Sequence, residues 1–131
     1  MILTPQLIDI LFRRLLLSAS TLEIRTQWVD YLNRFIGLNL DNSSDTKVGV
    51  LEKRGLGSFY KPWSLRRFRY HRPSKMLQYF DLDGAFKGSV FVDTTTFVQV
   101  VSADEADGRR FAFRVMCWKG LLEHFASDEK L

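Results

Sequence analysis

The chain has 131 residues, 46% of them hydrophobic, with eleven Phe, three Trp and a formal net charge of +4. That length suits one compact domain, and that much apolar mass supplies a core, so wholesale disorder is excluded. A single cysteine, Cys117, excludes an intrachain disulfide and points to a reducing, cytoplasmic setting, and no apolar run approaches the roughly 20 residues of a membrane-spanning helix.

The charge is unevenly spread. Residues 47–87 hold ten Lys/Arg against three Asp/Glu, and the rest of the chain is net negative. Such a region is a candidate footprint for an anion, whether a lipid headgroup, a nucleic acid or an acidic partner; the plain alternative is an ordinary solvated basic face. The apolar N-terminus lacks a basic leader and is interrupted by Asp9, Arg13 and Arg14, so it does not read as a signal peptide.

Thr4-Pro5 can open a first helix, with Thr as N-cap and Pro at the first helical position. Residues 13–19, "RRLLLSA", read either as a strand or as more of that helix, because periodicity does not separate the two. A clearer helix follows. Ser20 and Glu23 have capping-box spacing, Ile24, Trp28, Tyr31 or Leu32, and Phe35 recur on one face, and Gly37 stands where a left-handed C-cap is often needed. The polar stretch "NLDNSSDT", 39–46, is a linker. From Lys47 onward "KVGVLEK", "WSLRRFRY", "KMLQYF", "KGSVFV", "FVQVVSA" and "RRFAFRVM" are six short segments rich in β-branched and aromatic residues, separated by Gly, Pro, Asp and Ser. Regular short strands with turn chemistry between them predict an antiparallel barrel or sandwich. The terminal "WKGLLEHFASDEKL" reads as a short helix with a fraying charged end.

With the strands laid out, the order of motifs resembles the pleckstrin homology (PH) family. "KVGVLEKRG" resembles that family's first strand, and Trp63, Arg66 and Phe68 in "WSLRRFRY" resemble the Trp-x-x-Arg-x-Phe of its second. "LQYF" resembles the third, "KGSV" the start of the fourth and "RFAFRV" the sixth. PH domains end with a seventh strand of the type x-L-x-A and a Trp-bearing helix that plugs one mouth of the barrel. Residues 47–118 contain neither, whereas "RRLLLSAS" with "EIRTQWVDYL", including Ala19 and Trp28, looks like both. The resemblance therefore implies a mainly β fold with a capping helix: a seven-stranded antiparallel barrel or sandwich whose last strand and helix come from the N-terminal segment. On this reading 1–38 carries the displaced strand and helix, 39–46 is the linker, 47–118 holds strands one to six, and 119–131 is a short helix or tail. The displaced segment completes its own barrel as in a permutation, or is exchanged in a homodimer, or belongs to a preceding domain; alternatively residues 121–126 supply the cap.

Little in the sequence points to catalysis. His71 and His124 lack metal-ligand spacing, Cys117 between Met116 and Trp118 resembles a small core residue, Asp81 and Asp83 sit in a turn, and "GLG" at 55–57 lacks a third glycine and a following helix. No catalytic residue, metal or cofactor is expected. The resemblance implies an anion site instead: Lys53 and Arg66 as phosphate ligands, Tyr79 as a third-strand hydroxyl, and Arg54, Lys61 and Lys87 adding field. Lys and Arg suit phosphate through charge-assisted donors. The position two before Arg66, basic in strong headgroup binders of the family, is Ser64 here, which implies modest affinity. Leu56, Phe59 and Tyr60 in "GLGSFYKP" either dip into a membrane interface or pack on the barrel rim. The expected ligands are anionic phospholipid headgroups or inositol phosphates, met by a cytoplasmic protein peripheral at a membrane. The rival reading is a docking module for an acidic protein. A nucleic-acid sheet is a weaker rival, because "RRFRYHR" puts Arg66, Phe68 and Tyr70 on one strand face, with Phe68 in the core, and Arg67 and Arg69 on the other.

Overall fold

The computed structural model of the chain describes residues 4, 11–37, 45–55 and 62–119, with the side chains of 34–37 outside that set. Among these residues the elements run β1 (Phe12–Ser18), α1 (Leu22–Gly37), β2 (Thr46–Arg54), β3 (Trp63–His71), β4 (Met76–Phe80), β5 (Phe86–Phe91), β6 (Phe97–Val101), a 3₁₀ turn (Asp104–Ala106) and β7 (Ala112–Trp118). Residues 5–10 of the expected helix that Thr4-Pro5 opens, most of the linker and the tail from residue 120 lie outside the described residues.

The ambiguous leucine run is a strand. Leu15 and Leu17 enter the main core, while Leu16 enters a second, smaller one with Val101, Ala106 and Ala112. A strand buried on both faces loses the apolar–polar alternation by which strands are recognised, which is why its periodicity was mute.

All seven strands form one antiparallel sheet in the order β5-β4-β3-β2-β1-β7-β6. The first strand in sequence is thus an interior strand. It pairs with β7 along its whole length, from Phe12↔Trp118 to Ser18↔Ala112. It meets β2 at only two positions, Leu17↔Lys53 and Ser18↔Glu52. The two strands are thus staggered and overlap only near their C-terminal ends. The sheet also curls. Arg13 of β1 donates from Nη1 to the Ser89 carbonyl of β5 and from Nη2 to the Tyr79 hydroxyl of β4, both at 2.9 Å. Strands far apart in the sheet order therefore face one another across a single core.

The helix covers one end of that core. Its N-cap is Thr21, not Ser20: Thr21 Oγ1 accepts from the Ile24 amide at 3.1 Å, so the register is one residue later than the capping-box spacing implied. Trp28 and Leu32 are fully buried, with Ile24, Val29 and Tyr31 packed beside them. Trp28 meets Phe68 edge-on at 6.5 Å and lies directly over Gly49, where an added Cβ would approach the indole to 3.1 Å. Gly49 is thus a gap in β2 shaped for the indole. The Lys47 ammonium closes over the outside of Trp28 and Tyr31 at 5.1 and 5.9 Å.

The 3₁₀ turn and the left-handed pair Asp107 and Gly108 (φ 53° and 86°) delay β7, so that Arg109 and Arg110 precede the strand instead of opening it.

Because β1 fills the place between β2 and β7, its removal would expose two strand edges and the floor under Trp28. A fragment lacking residues 1–38 is expected to aggregate or fail to melt cooperatively in size-exclusion and calorimetric runs. A soluble fragment with a sharp transition would contradict this. Light scattering on the intact chain separates a self-contained monomer from an exchanged dimer.

Candidate functional site

At the end away from the helix, the inner face of the sheet carries a group of cations. Along β2 the inward positions pass from Gly49 through Leu51 to Lys53, and along β3 from Tyr70 through Phe68 to Arg66, so each strand leaves the core on a cation. Lys53 stands opposite Leu17 of β1 and Ser64 of β3. Its Nζ lies 5.1 Å from the Tyr79 ring centroid, on the ring's face. Tyr79 is itself buried, and its hydroxyl takes the Arg13 hydrogen bond. Three strands thus bring Arg13, Lys53 and Arg66 to one mouth.

Tyr79 owes its position to Gly88. A Cβ at residue 88 would come within 2.6 Å of Tyr79 Cζ, so the ring packs against bare β5 backbone, and the β4–β5 register shifts beside it, between Tyr79 and Phe80.

Electrostatically the mouth is crowded. Burial first, then the charges of Arg13 and Arg66, hold the Lys53 ammonium below the usual lysine range. Among the described residues no carboxylate pairs with Lys53. Arg66 and Lys87, by contrast, share one acid: Arg66 Nη1 is 3.3 Å from Asp81 Oδ1, and Lys87 Nζ is 3.2 Å from Oδ2. Asp81 is held by its turn. Its N–H donates to the Ala85 carbonyl at 2.8 Å, its carbonyl accepts from Gly84 at 2.9 Å, and Gly84 adopts φ 100°.

The other expected site residues are dispersed. Arg54 points to the opposite sheet face, 3.5 Å from Asp107, whose carboxyl is lowered first by a 2.9 Å hydrogen bond from the Trp63 indole and then by Arg54. Lys61 and the loop residues Leu56, Phe59 and Tyr60 lie outside the described residues. Arg13 and Asp81 are additions to the expected set. Arg13 had no motif to mark it; Asp81 was legible only as a turn residue.

Elsewhere, Cys117 is buried on the inner face, and burial pushes its thiol up to about 12, so it carries no thiolate at neutral pH. Phe68 and Tyr70 are buried, and neither offers a ring to a base. Among the described residues no group of His, Cys, Asp and Glu could hold a metal ion, and no helix is long and apolar enough to cross a membrane. Comparison with family models, with curated proteins and with solved structures returns no match.

Gly88→Ala is expected to destabilise the fold by about 1–3 kcal/mol, the usual cost of forcing atoms into a packed core, read from the midpoint of urea unfolding. An unchanged midpoint would mean that Tyr79 is not held against β5.

Proposed function

We propose that the chain is a non-catalytic PH-like module that binds anionic, phosphoinositide-type headgroups at the mouth formed by Arg13, Lys53, Arg66 and Tyr79. The observation that carries the reading is Lys53: a half-buried ammonium beside two other cations, without a carboxylate partner among the described residues. An isolated buried charge is costly, and neutralisation by a ligand offsets that cost. The PH-like part of the reading is supported by β1. It lies between the strand that resembles the family's first and the strand that resembles its sixth, where a seventh strand would close the order, and the Trp28 helix covers one end of the core.

A phosphate at this mouth would take a charge-assisted hydrogen bond from Lys53, with Arg13 and Arg66 adding positive field. Ser64, directly across from Lys53, adds a hydroxyl where strong binders of the family add a cation, so affinity is modest. A protein with such a site works at a membrane surface by adding this contact to others, each basic group near an anionic leaflet contributing about 1 kcal/mol.

Lys53→Met is the discriminating change. It should weaken binding of a soluble inositol phosphate by tenfold or more, the lower end for losing a hydrogen bond of about 1.5–3 kcal/mol to a charged group. It should not lower Tm in phosphate-free buffer, because the lysine is disfavoured in the folded state. The sign follows from linkage: a folded-state pKa below the unfolded one opposes folding while the group is protonated, and the penalty fades as pH rises through the lowered value toward 10.5. Undiminished binding, measured by calorimetry, refutes the assignment.

A second reading, docking of an acidic protein, is favoured by the outer face of β2 and β3. There Val48, Val50 and Leu65 are exposed, and Arg67 and Arg69 stand opposite Val50 and Val48. Under that reading, reversing the charges of Arg67 and Arg69 abolishes capture of an acidic partner while Lys53→Met spares it; the opposite pattern in the same pull-down favours the headgroup site.

A further inference from the structure

The mouth contains two groups of cations in different states. Lys53, over the Tyr79 ring and facing Ser64, has Arg13 and Arg66 as its charged neighbours among the described residues. Arg66 and Lys87 already grip an anion, the Asp81 carboxylate, one oxygen each, at 3.3 and 3.2 Å. A carboxylate bridged in this way occupies the place that a phosphate's oxygens would take between two cations. Asp81 cannot drift far, because the hydrogen bonds of the β4–β5 turn and left-handed Gly84 fix its backbone. The turn has its own reinforcement, with the Ala85 amide donating to Asp83 Oδ1 at 3.1 Å.

We infer that Asp81 fills the second phosphate position of this mouth, so that the site takes ligands through a single phosphate group at Lys53 and discriminates against a second phosphate nearby. The inference rests on the headgroup reading above and adds a ligand class to it. Arg13 reinforces the asymmetry. Two of its donors are committed to Ser89 and Tyr79, so it lends charge to the Lys53 position without being free to follow a second phosphate. A ligand carrying adjacent phosphates must bring its second group against the Asp81 carboxylate or push that carboxylate off both cations. Either route works against the extra charge that would otherwise tighten binding. The Asp81 pairs are part-exposed, at 29% for Asp81 and 26% and 44% for Arg66 and Lys87. Their own contribution to folding is therefore small, and their removal should be tolerated.

The test compares an inositol monophosphate with an inositol bisphosphate carrying adjacent phosphates, by calorimetry on the full chain, and the matching phosphatidylinositol phosphates in neutral vesicles by sedimentation. The unaltered protein should bind the two soluble ligands within about threefold of each other. Asp81→Asn should improve the bisphosphate by about tenfold, the effect of removing one screened like charge at close range, and change the monophosphate by less than threefold. Thermal melting should show the variant folded. Vesicles binding more tightly than the soluble ligand identify a lipid as the source, and equal affinities identify the free inositol phosphate; the Asp81→Asn pattern is expected in both arms. Loss of all binding in Lys53→Met together with equal gains for both ligands in Asp81→Asn, or none, overturns the single-phosphate inference and leaves the headgroup site standing. Full binding in Lys53→Met overturns both. If Asp81→Asn does not melt cooperatively, Asp81→Ser is compared on the same two ligands, and a folded Asp81→Ser without bisphosphate gain also overturns the inference.

Discussion

The structure depends on one insertion: a strand from the beginning of the sequence fills the place between β2 and the last strand. The seven-residue ladder between β1 and β7 satisfies backbone groups that would otherwise be two raw edges inside the sheet. Its side chains serve three purposes at once. Leu15 and Leu17 supply the centre of the main core, Leu16 the centre of the smaller one, and Arg13 the cross-brace to β4 and β5. The short contact with β2 matters as much as the long one with β7. Because that overlap is short, β2 runs on past the end of β1, and there Gly49 seats Trp28 of the helix that follows β1.

The two ends of the core follow opposite physical logic. At the helix end aromatic rings meet edge to face, Trp28 on Phe68 and Tyr31 on Tyr70, and the Tyr70 hydroxyl reaches the Val92 carbonyl at 3.0 Å. Polar atoms there are satisfied internally. At the mouth the same inward-facing positions carry charge that is satisfied unevenly among the described residues, with Asp81 serving two cations and Lys53 beside Arg13 and Arg66. A fold selected for stability alone would favour an apolar residue at such a position, which is why the lysine is more informative than the arginines around it.

Much of this was legible in the sequence, and the failures have physical causes. Six strands were visible because strand alternation and turn residues are local signals: "RRFRYHR" by itself separates buried Phe68 and Tyr70 from exposed Arg67 and Arg69. The face of α1 was visible for the same reason. The cap slipped by one residue because Ser20 and Thr21 are chemically alike, and only the tertiary path decides which hydroxyl meets the Ile24 amide. Arg13 was invisible as a site residue because its partners lie 66 and 76 positions away. Asp81 was read correctly as a turn former, but its carboxylate answers to Arg66 and Lys87, and turn propensity carries no information about that. The Gly49 and Gly88 gaps were equally silent, since a glycine in a strand does not announce which ring will lie on it.

The ladder between β1 and β7 also sets a timetable. Phe12 pairs with Trp118, so the contact that completes the sheet joins residues about a hundred positions apart. Loop-closure entropy grows slowly with length, but it must be met before so distant a pairing yields anything in return. During synthesis β2 to β5 can pair with their sequence neighbours as they emerge, while β1 and β6 both wait for β7. In that interval the leucines of β1 and the unpaired flank of β2 are open to other chains, as transiently exposed edges in slow-folding sheets are. The fold is therefore most vulnerable to mispairing while β1 still lacks β7, a hazard that the stability of the finished sheet does nothing to remove.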